Sequence, residues 1–185
     1  MAVDRVEQRL KRVAAALDAA GLAYAVVGGN AVASWVGRID PSATRATKDV
    51  DLLVRRADLD RVTAALTGAG LRREDLRDPV PFVDPAEPSR RAGVHLVWAG
   101  ERVRPSYTIP APRVEESVRD PEGFAVLDLP ALVRMKLTSF RDIDRVHIGD
   151  LIEVGLIDAR IASTLPPELR ARLDQVVKSR SEEGR

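Results

Sequence analysis

Two carboxylates two residues apart, Asp49 and Asp51 in TKDVDLLV, and a glycine pair, Gly28 and Gly29 after AYAVV, are the residues of this chain best suited to chemistry. Side chains alternate faces along a strand. On a strand over residues 47–54, Asp49 and Asp51 therefore share one face, while Val50, Leu52 and Val54 share the other. Their Cα atoms then lie about 7 Å apart, from roughly 3.3 Å of rise per residue. Carboxylates so spaced converge on one hard cation. Mg²⁺ (or Mn²⁺) suits them, held by one or two carboxylates, with waters and substrate phosphates completing its shell.

The elements that must position these groups are legible around them. Residues 23–27 read as a short apolar strand and residues 30–36 as a short helix stopped at Gly37, so the glycine pair is the turn between them. A strand, Gly-Gly, helix start offers an anion unpaired backbone N–H groups and the positive end of a helix dipole, with no Cβ in the way. Gly28, Gly29 and Asn30 are the predicted phosphate contacts, and a nucleoside triphosphate bridged between turn and metal is the predicted substrate. Arg45, Thr47 and Lys48 flank the acids at the end of a loop over residues 38–46, as further nucleotide contacts or as balancing charge.

In chain order, strand, Gly-Gly, helix and then Arg45-x-Thr47-x-Asp49-x-Asp51 form a pattern that resembles the DNA polymerase beta-like nucleotidyltransferase superfamily. Within it, the chain looks most like the small bacterial nucleotidyltransferases related to abortive-infection and type IV toxin–antitoxin toxins. The resemblance implies metal-dependent transfer of a nucleotidyl group from an NTP to a hydroxyl, and a third carboxylate from a later strand. The strand over residues 93–99, GVHLVWA, carries His95 at that position instead. His95 then ligates the metal, acts as a base near its ordinary pKa of about 6.5, or is structural, and Asp78, Asp84 and Glu101 are candidate substitutes for the acid.

The second half resembles the toxin branch again through Lys136, Arg141, Asp144, Arg145 and Asp150, with Ile143 where a lysine is often found. By that resemblance Lys136 contacts the triphosphate, and Asp144 or Asp150 orients it or positions substrate. Read without the family, Arg141, Asp144 and Arg145 are helix-surface ion pairs, and His147 is a structural or surface histidine.

The remaining pattern supplies a scaffold. Val6, Leu10, Val13 and Leu17 mark a helix over residues 3–20, and Leu59, Val62, Leu66 and Ala69 mark one over residues 57–69. Residues 71–76 read as a strand, the proline-rich residues 77–91 as a loop, and residues 101–119 as a polar surface loop in which Tyr107 sits among arginines. A strand at residues 124–127 leads to a helix capped by Asp128 with Pro130 in its first turn. Leu169, Leu173 and Val177 mark a last helix, frayed from residue 179, and Trp35 and Trp98 read as core.

Composition bounds the rest. With 29 basic against 28 acidic residues, bulk charge does not announce a nucleic-acid binder, and the lack of cysteine excludes disulfides, thiolate zinc sites and thiol catalysis. No apolar run reaches about 18 residues and no basic-then-apolar leader is present, which predicts a cytoplasmic protein with no membrane partner. The predicted fold class is α/β (α+β): a nucleotidyltransferase core of a small mixed β-sheet flanked by helices over residues 1–128. A C-terminal helical lobe over residues 129–185 closes the cleft, as a second domain or as part of one continuous one. The expected function is transfer of NMP from an NTP to an RNA end, a protein or a small molecule, and the resemblance to the toxin branch implies an antitoxin protein as a partner. The alternative is a catalytically degenerate member kept as a nucleotide-binding or protein-interaction module.

Overall fold

The structure, a computed structural model, describes residues 2–74 and 80–183. In chain order its elements are α1 (Ala2–Ala19), β1 (Tyr24–Val27), α2 (Gly28–Gly37), β2 (Val50–Val54), α3 (Leu59–Gly68), β3 (Arg72–Arg73), β4 (Pro81–Val83), β5 (Val94–Trp98), β6 (Ser117–Arg119) and β7 (Ala125–Leu127). Four helices follow: α4 (Leu129–Ser139), α5 (Asp142–Glu153), α6 (Ala159–Thr164) and α7 (Pro167–Glu183).

The strands form one mixed sheet in the order β3-β4-β5-β2-β1-β7-β6. β1 pairs with β2 antiparallel and with β7 parallel, and β2 pairs with β5 parallel. β2 is therefore central, and Val50, Leu52, Leu53 and Val54 are all buried. The acid-bearing face is polar only at its first turn, since Leu53, two residues past Asp51 on the same face, is covered completely.

α1 buries Val6, Leu10, Val13 and Leu17 and packs on α3 and β2, as its 3.6-residue period requires. The C-terminal helices pack on one another, with α4 and α5 also meeting α2, and one apolar cluster runs from Val6 of α1 to Val176 of α7. Asp128 caps α4 by accepting from the Ala131 N–H at 2.8 Å.

Several elements depart from the sequence expectations. β2 begins at Val50, so Asp49 lies in a bend just before the strand. α2 begins at Gly28 itself, two residues earlier than the pattern predicts. The proline-rich stretch contains β4, an interior strand that starts at Pro81, where a missing N–H costs least. The polar segment after β5 ends in the edge strand β6. Only Arg72–Arg73 of the predicted 71–76 strand is paired, its end and Asp78 lying outside the described residues. α7 runs to Glu183 rather than fraying at residue 179, and it turns Val176, not Val177, to the core. Trp98 is buried, whereas Trp35 is only partly covered, with Arg38 stacked 4.0 Å from its ring.

Candidate active site

One transverse row of the sheet builds the centre of the site. Val27 of β1 lies opposite Asp51 of β2, which lies opposite His95 of β5, which in turn faces Pro81 of β4. Asp51 thus has the Gly-Gly turn on one side and an imidazole on the other. His95 Nδ1 is 3.5 Å from Asp51 Oδ1 and 3.8 Å from Asp49 Oδ2. One ligating atom from each of Asp49, Asp51 and His95 lies within 4.8 Å of the other two, and all three side chains are partly open to solvent. This donor set, two carboxylate oxygens and one imidazole nitrogen, can hold a divalent cation.

The glycine pair is held tightly against these acids. Gly28 has φ +69°, which β-carbon-bearing residues rarely adopt. A Cβ there would also sit 3.0 Å from Asp51 Cγ and overlap its Oδ2. At Gly29, whose own φ is not unusual, a Cβ would press on the Thr47 hydroxyl at 3.1 Å and reach within 3.8 Å of His147 Cε1. Both glycines therefore serve a close approach: the start of α2, with its free N–H groups, abuts the carboxylates with no side chain between.

Around this centre the chain is tied down by polar contacts. Asn30 Nδ2 donates to the Asp49 carbonyl at 2.7 Å, and Arg9 of α1 reaches the Lys48 carbonyl at 3.5 Å. Asn30 thus anchors the irregular residues before β2 by its side chain. The Thr47 hydroxyl donates to Asp49 Oδ1 at 2.9 Å and orients that carboxylate. Arg45 grips Asp150 of α5 through two hydrogen bonds, at 2.6 and 3.0 Å, so these two predicted nucleotide contacts bind each other. Lys48 is exposed.

The charged residues of α4 and α5 form a buried group. Asp144 is completely buried and takes hydrogen bonds from Lys136 Nζ at 3.0 Å, Ser139 Oγ at 2.7 Å and Arg141 Nε at 2.8 Å. The surface ion-pair reading fails for Asp144, which is buried, and Arg145 pairs instead with Asp142, which that reading did not include. Burial alone would raise the Asp144 pKa, but the Arg141 hydrogen bonds, the Lys136 charge and the Ser139 hydroxyl outweigh it and hold the carboxyl at about 2. Lys136, nearly all buried, has its ammonium on Asp144. The Arg141 pKa is raised chiefly by its hydrogen bonds to Asp144, with the charge of Asp51 a smaller contribution.

His147, expected to be a structural or surface histidine, does not lie at the surface. It is buried beside Gly29, its Nδ1 has no hydrogen-bond partner, and burial together with the Lys136 charge depresses its pKa to about 4. Its signal was in the spacing, since Asp144, His147 and Asp150 recur every three residues along one face of α5. The other candidate acids go elsewhere: Asp84 pairs with Arg12 and Glu101 with Arg56. Tyr107 carries Arg104 over its ring at 6.0 Å. A cavity of about 600 Å³ adjoins the site, lined in part by Asn30, Thr47, Arg38, Asp120 and Phe124.

No protein-family profile matches the chain, and no curated protein matches it in sequence. Solved structures do match in fold. A crystal structure of ANT(2'')-Ia in complex with adenylyl-2''-tobramycin superposes with a TM-score of 0.59 at 17% identity, over 93% of this chain and 98% of that one. A solution structure of the antibiotic-resistance factor ANT(2'')-Ia gives 0.54 at 18% identity, over 99% and 88%. The chain shares the fold of these ANT(2'')-Ia structures, and no helix among its described residues is long and apolar enough to cross a membrane.

Proposed function

We propose that this chain is a metal-dependent nucleotidyltransferase that moves an NMP group from an NTP to a hydroxyl. The observation that carries this reading is the apposition of Gly28 and Asp51, which puts an anion-binding helix start and a cation-binding carboxylate in van der Waals contact. A triphosphate needs both at once. Its likeness in fold to ANT(2'')-Ia, seen with an adenylylated small molecule, supports the same chemistry.

In this reading the N–H groups at the start of α2 bind the phosphates, and Asp49, Asp51 and His95 hold the cation, with Thr47 orienting Asp49. A divalent cation there supplies charge neutralisation and alignment of the phosphates. The acceptor oxygen attacks the α-phosphorus, the bond to the bridging oxygen breaks, and pyrophosphate leaves with that electron pair. With His95 committed to the cation, Asp49, which keeps a second carboxylate oxygen, takes the acceptor proton. Arg141 and Lys136, two cations against the single Asp144 carboxylate, leave a net positive charge beside the leaving pyrophosphate, so Lys136 acts through the group rather than as a lone side chain. The adjoining cavity has the volume of a small-molecule site and is our choice for the acceptor. An RNA end or a protein hydroxyl are the other acceptor classes, and a toxin with a cognate antitoxin remains the biological role that the sequence pattern suggests.

The test is transfer of label from each α-labelled NTP, with Mg²⁺ or Mn²⁺, to small-molecule, RNA and protein fractions, by wild type and Asp51→Asn. Label transferred by wild type and not by Asp51→Asn carries the reading. Metal-nucleotide binding with no transfer to any fraction favours the second reading, a non-catalytic nucleotide-binding module, which the replacement of an acid by His95 motivates.

A further inference from the structure

The third group of the cation site is an imidazole on an interior strand, set opposite Asp51 by sheet register and 3.8 Å from the Asp49 carboxylate. We infer that the Asp49–Asp51–His95 site selects a first-row transition dication, of the Mn²⁺ to Zn²⁺ series, over Mg²⁺. This inference rests on the metal-dependent reading above and deepens it.

The argument is one of donor chemistry and reach. Mg²⁺ takes oxygen ligands in a near-ideal octahedron and parts reluctantly with its waters, so a nitrogen donor adds little to its binding. Transition dications accept imidazole nitrogen readily, and their affinity for mixed nitrogen and oxygen sites rises from Mn²⁺ towards Cu²⁺. Adjacent ligands on a cation with bonds of about 2.1 Å lie about 3 Å apart in an octahedron and somewhat more in a tetrahedron. The separations of 3.5 and 3.8 Å from His95 Nδ1 to the two carboxylates are within a small side-chain rotation of that spacing.

The scaffold holds the imidazole in place. His95 is paired in parallel register with Asp51 in the sheet interior, between the buried Val94 and Leu96, so its backbone cannot retreat. Gly28 closes the other side of Asp51 and leaves that carboxylate to be shared between the turn and the cation. Had the position carried a third carboxylate, the site would be all oxygen with one more negative charge, which is what Mg²⁺ prefers. One residue type sets the preference.

The experiment uses the full chain without nucleotide, with Mn²⁺ as an EPR-visible probe and Mg²⁺ as competitor. Mn²⁺ lies at the weak end of the affinity order, so any preference it shows is a lower bound for the series. Wild type is expected to bind Mn²⁺ with a nitrogen coupling in the pulsed EPR spectrum and to resist displacement by Mg²⁺. His95→Asp should lose the coupling, keep a bound cation, and shift the Mn²⁺ to Mg²⁺ affinity ratio towards Mg²⁺ by about tenfold or more. His95→Gln, close in size and without an imidazole, should lose the coupling too and covers the case in which His95→Asp does not fold. His147→Gln should retain it, which assigns the nitrogen. Bound Mn²⁺ with no nitrogen coupling, displaced equally well by Mg²⁺ in wild type and His95→Asp, would overturn the inference while leaving metal-dependent transfer intact. Failure of folded wild type to bind either ion, with or without ATP, would overturn both.

Discussion

Gly28→Ala separates backbone strain from site geometry, because Gly21 provides a matched control. Gly28 has φ +69° and Gly21 has φ +62°, and a Cβ at Gly21 meets nothing within 4 Å. Left-handed backbone costs a β-carbon-bearing residue about 1–2 kcal/mol, which for a chain this size is a loss of about 2–8 °C in Tm, in both variants. Gly28→Ala carries a second effect. Its Cβ, 3.0 Å from Asp51 Cγ, displaces that carboxylate by about 0.5–1 Å to restore ordinary carbon contact, beyond the roughly 0.5 Å that a working site tolerates. Thermal unfolding with and without Mn²⁺ reads this directly. A cation at about 100 times its Kd adds roughly 2.7 kcal/mol, which wild type and Gly21→Ala should show and Gly28→Ala should not. Nucleotidyl transfer by Gly28→Ala should fall by about a hundredfold, the scale of a 1 Å misplacement. If Gly28→Ala gains as much from the metal as Gly21→Ala and transfers label within about threefold of it, the glycine is not there for Asp51 and the argument from close approach is wrong.

The other predictions concern the buried charges. Asp144 has a folded pKa of about 2 against 3.8 unperturbed, so its stabilisation, about 2 kcal/mol, is present above pH 4 and is lost as the pH falls towards 2. Asp144→Asn should flatten that part of the acid-unfolding curve and, by stranding Lys136, cost about 3–5 kcal/mol near neutral pH. His147, held near 4 against 6.5, also destabilises the fold as it is forced to charge. Stability should decline by up to about 3 kcal/mol from pH 6.5 down to 4, and His147→Gln should remove that slope in denaturant titrations at each pH. NMR should show its imidazole neutral at pH 5.5. Arg45→Ala leaves the Asp150 carboxylate without its two hydrogen bonds and should cost about 1–3 kcal/mol, partly recovered when Arg45→Asp is combined with Asp150→Arg.

The parts of the molecule that could be read from the chain were those with strong local signals. α1 and α3 show the helical period, α4 shows its cap and proline, and the Gly-Gly turn and β2 announce themselves by apolar runs ending in special residues. β4 and β6 could not be read this way, because each is three residues long and owes its strand state to pairing with a neighbouring strand rather than to its own pattern. At the site, the sequence pattern singled out Asp49, Asp51 and His95, and the structure brings the three together. What no spacing rule supplies is who binds whom: Arg45 with Asp150, 105 residues apart, and Asn30 with the Asp49 carbonyl depend on tertiary placement. Asp144 looked like a surface partner because sequence shows charge and not burial.

The row Val27, Asp51, His95 and Pro81 also makes the site a reporter of correct strand assembly. A slip of one residue between β2 and β5 would turn every side chain of the slipped strand to the opposite face and put Val94 or Leu96 opposite Asp51. Asp51 and His95 are joined by a parallel pairing 44 residues apart in sequence, against 24 for Val27 and Asp51. The longer closure carries the larger entropic cost, by about 0.5 kcal/mol, which favours formation of the hairpin-like β1–β2 pair before the imidazole arrives. During refolding, nitrogen coordination to a bound cation would appear only once the sheet has closed in its native order, and its onset would time that step.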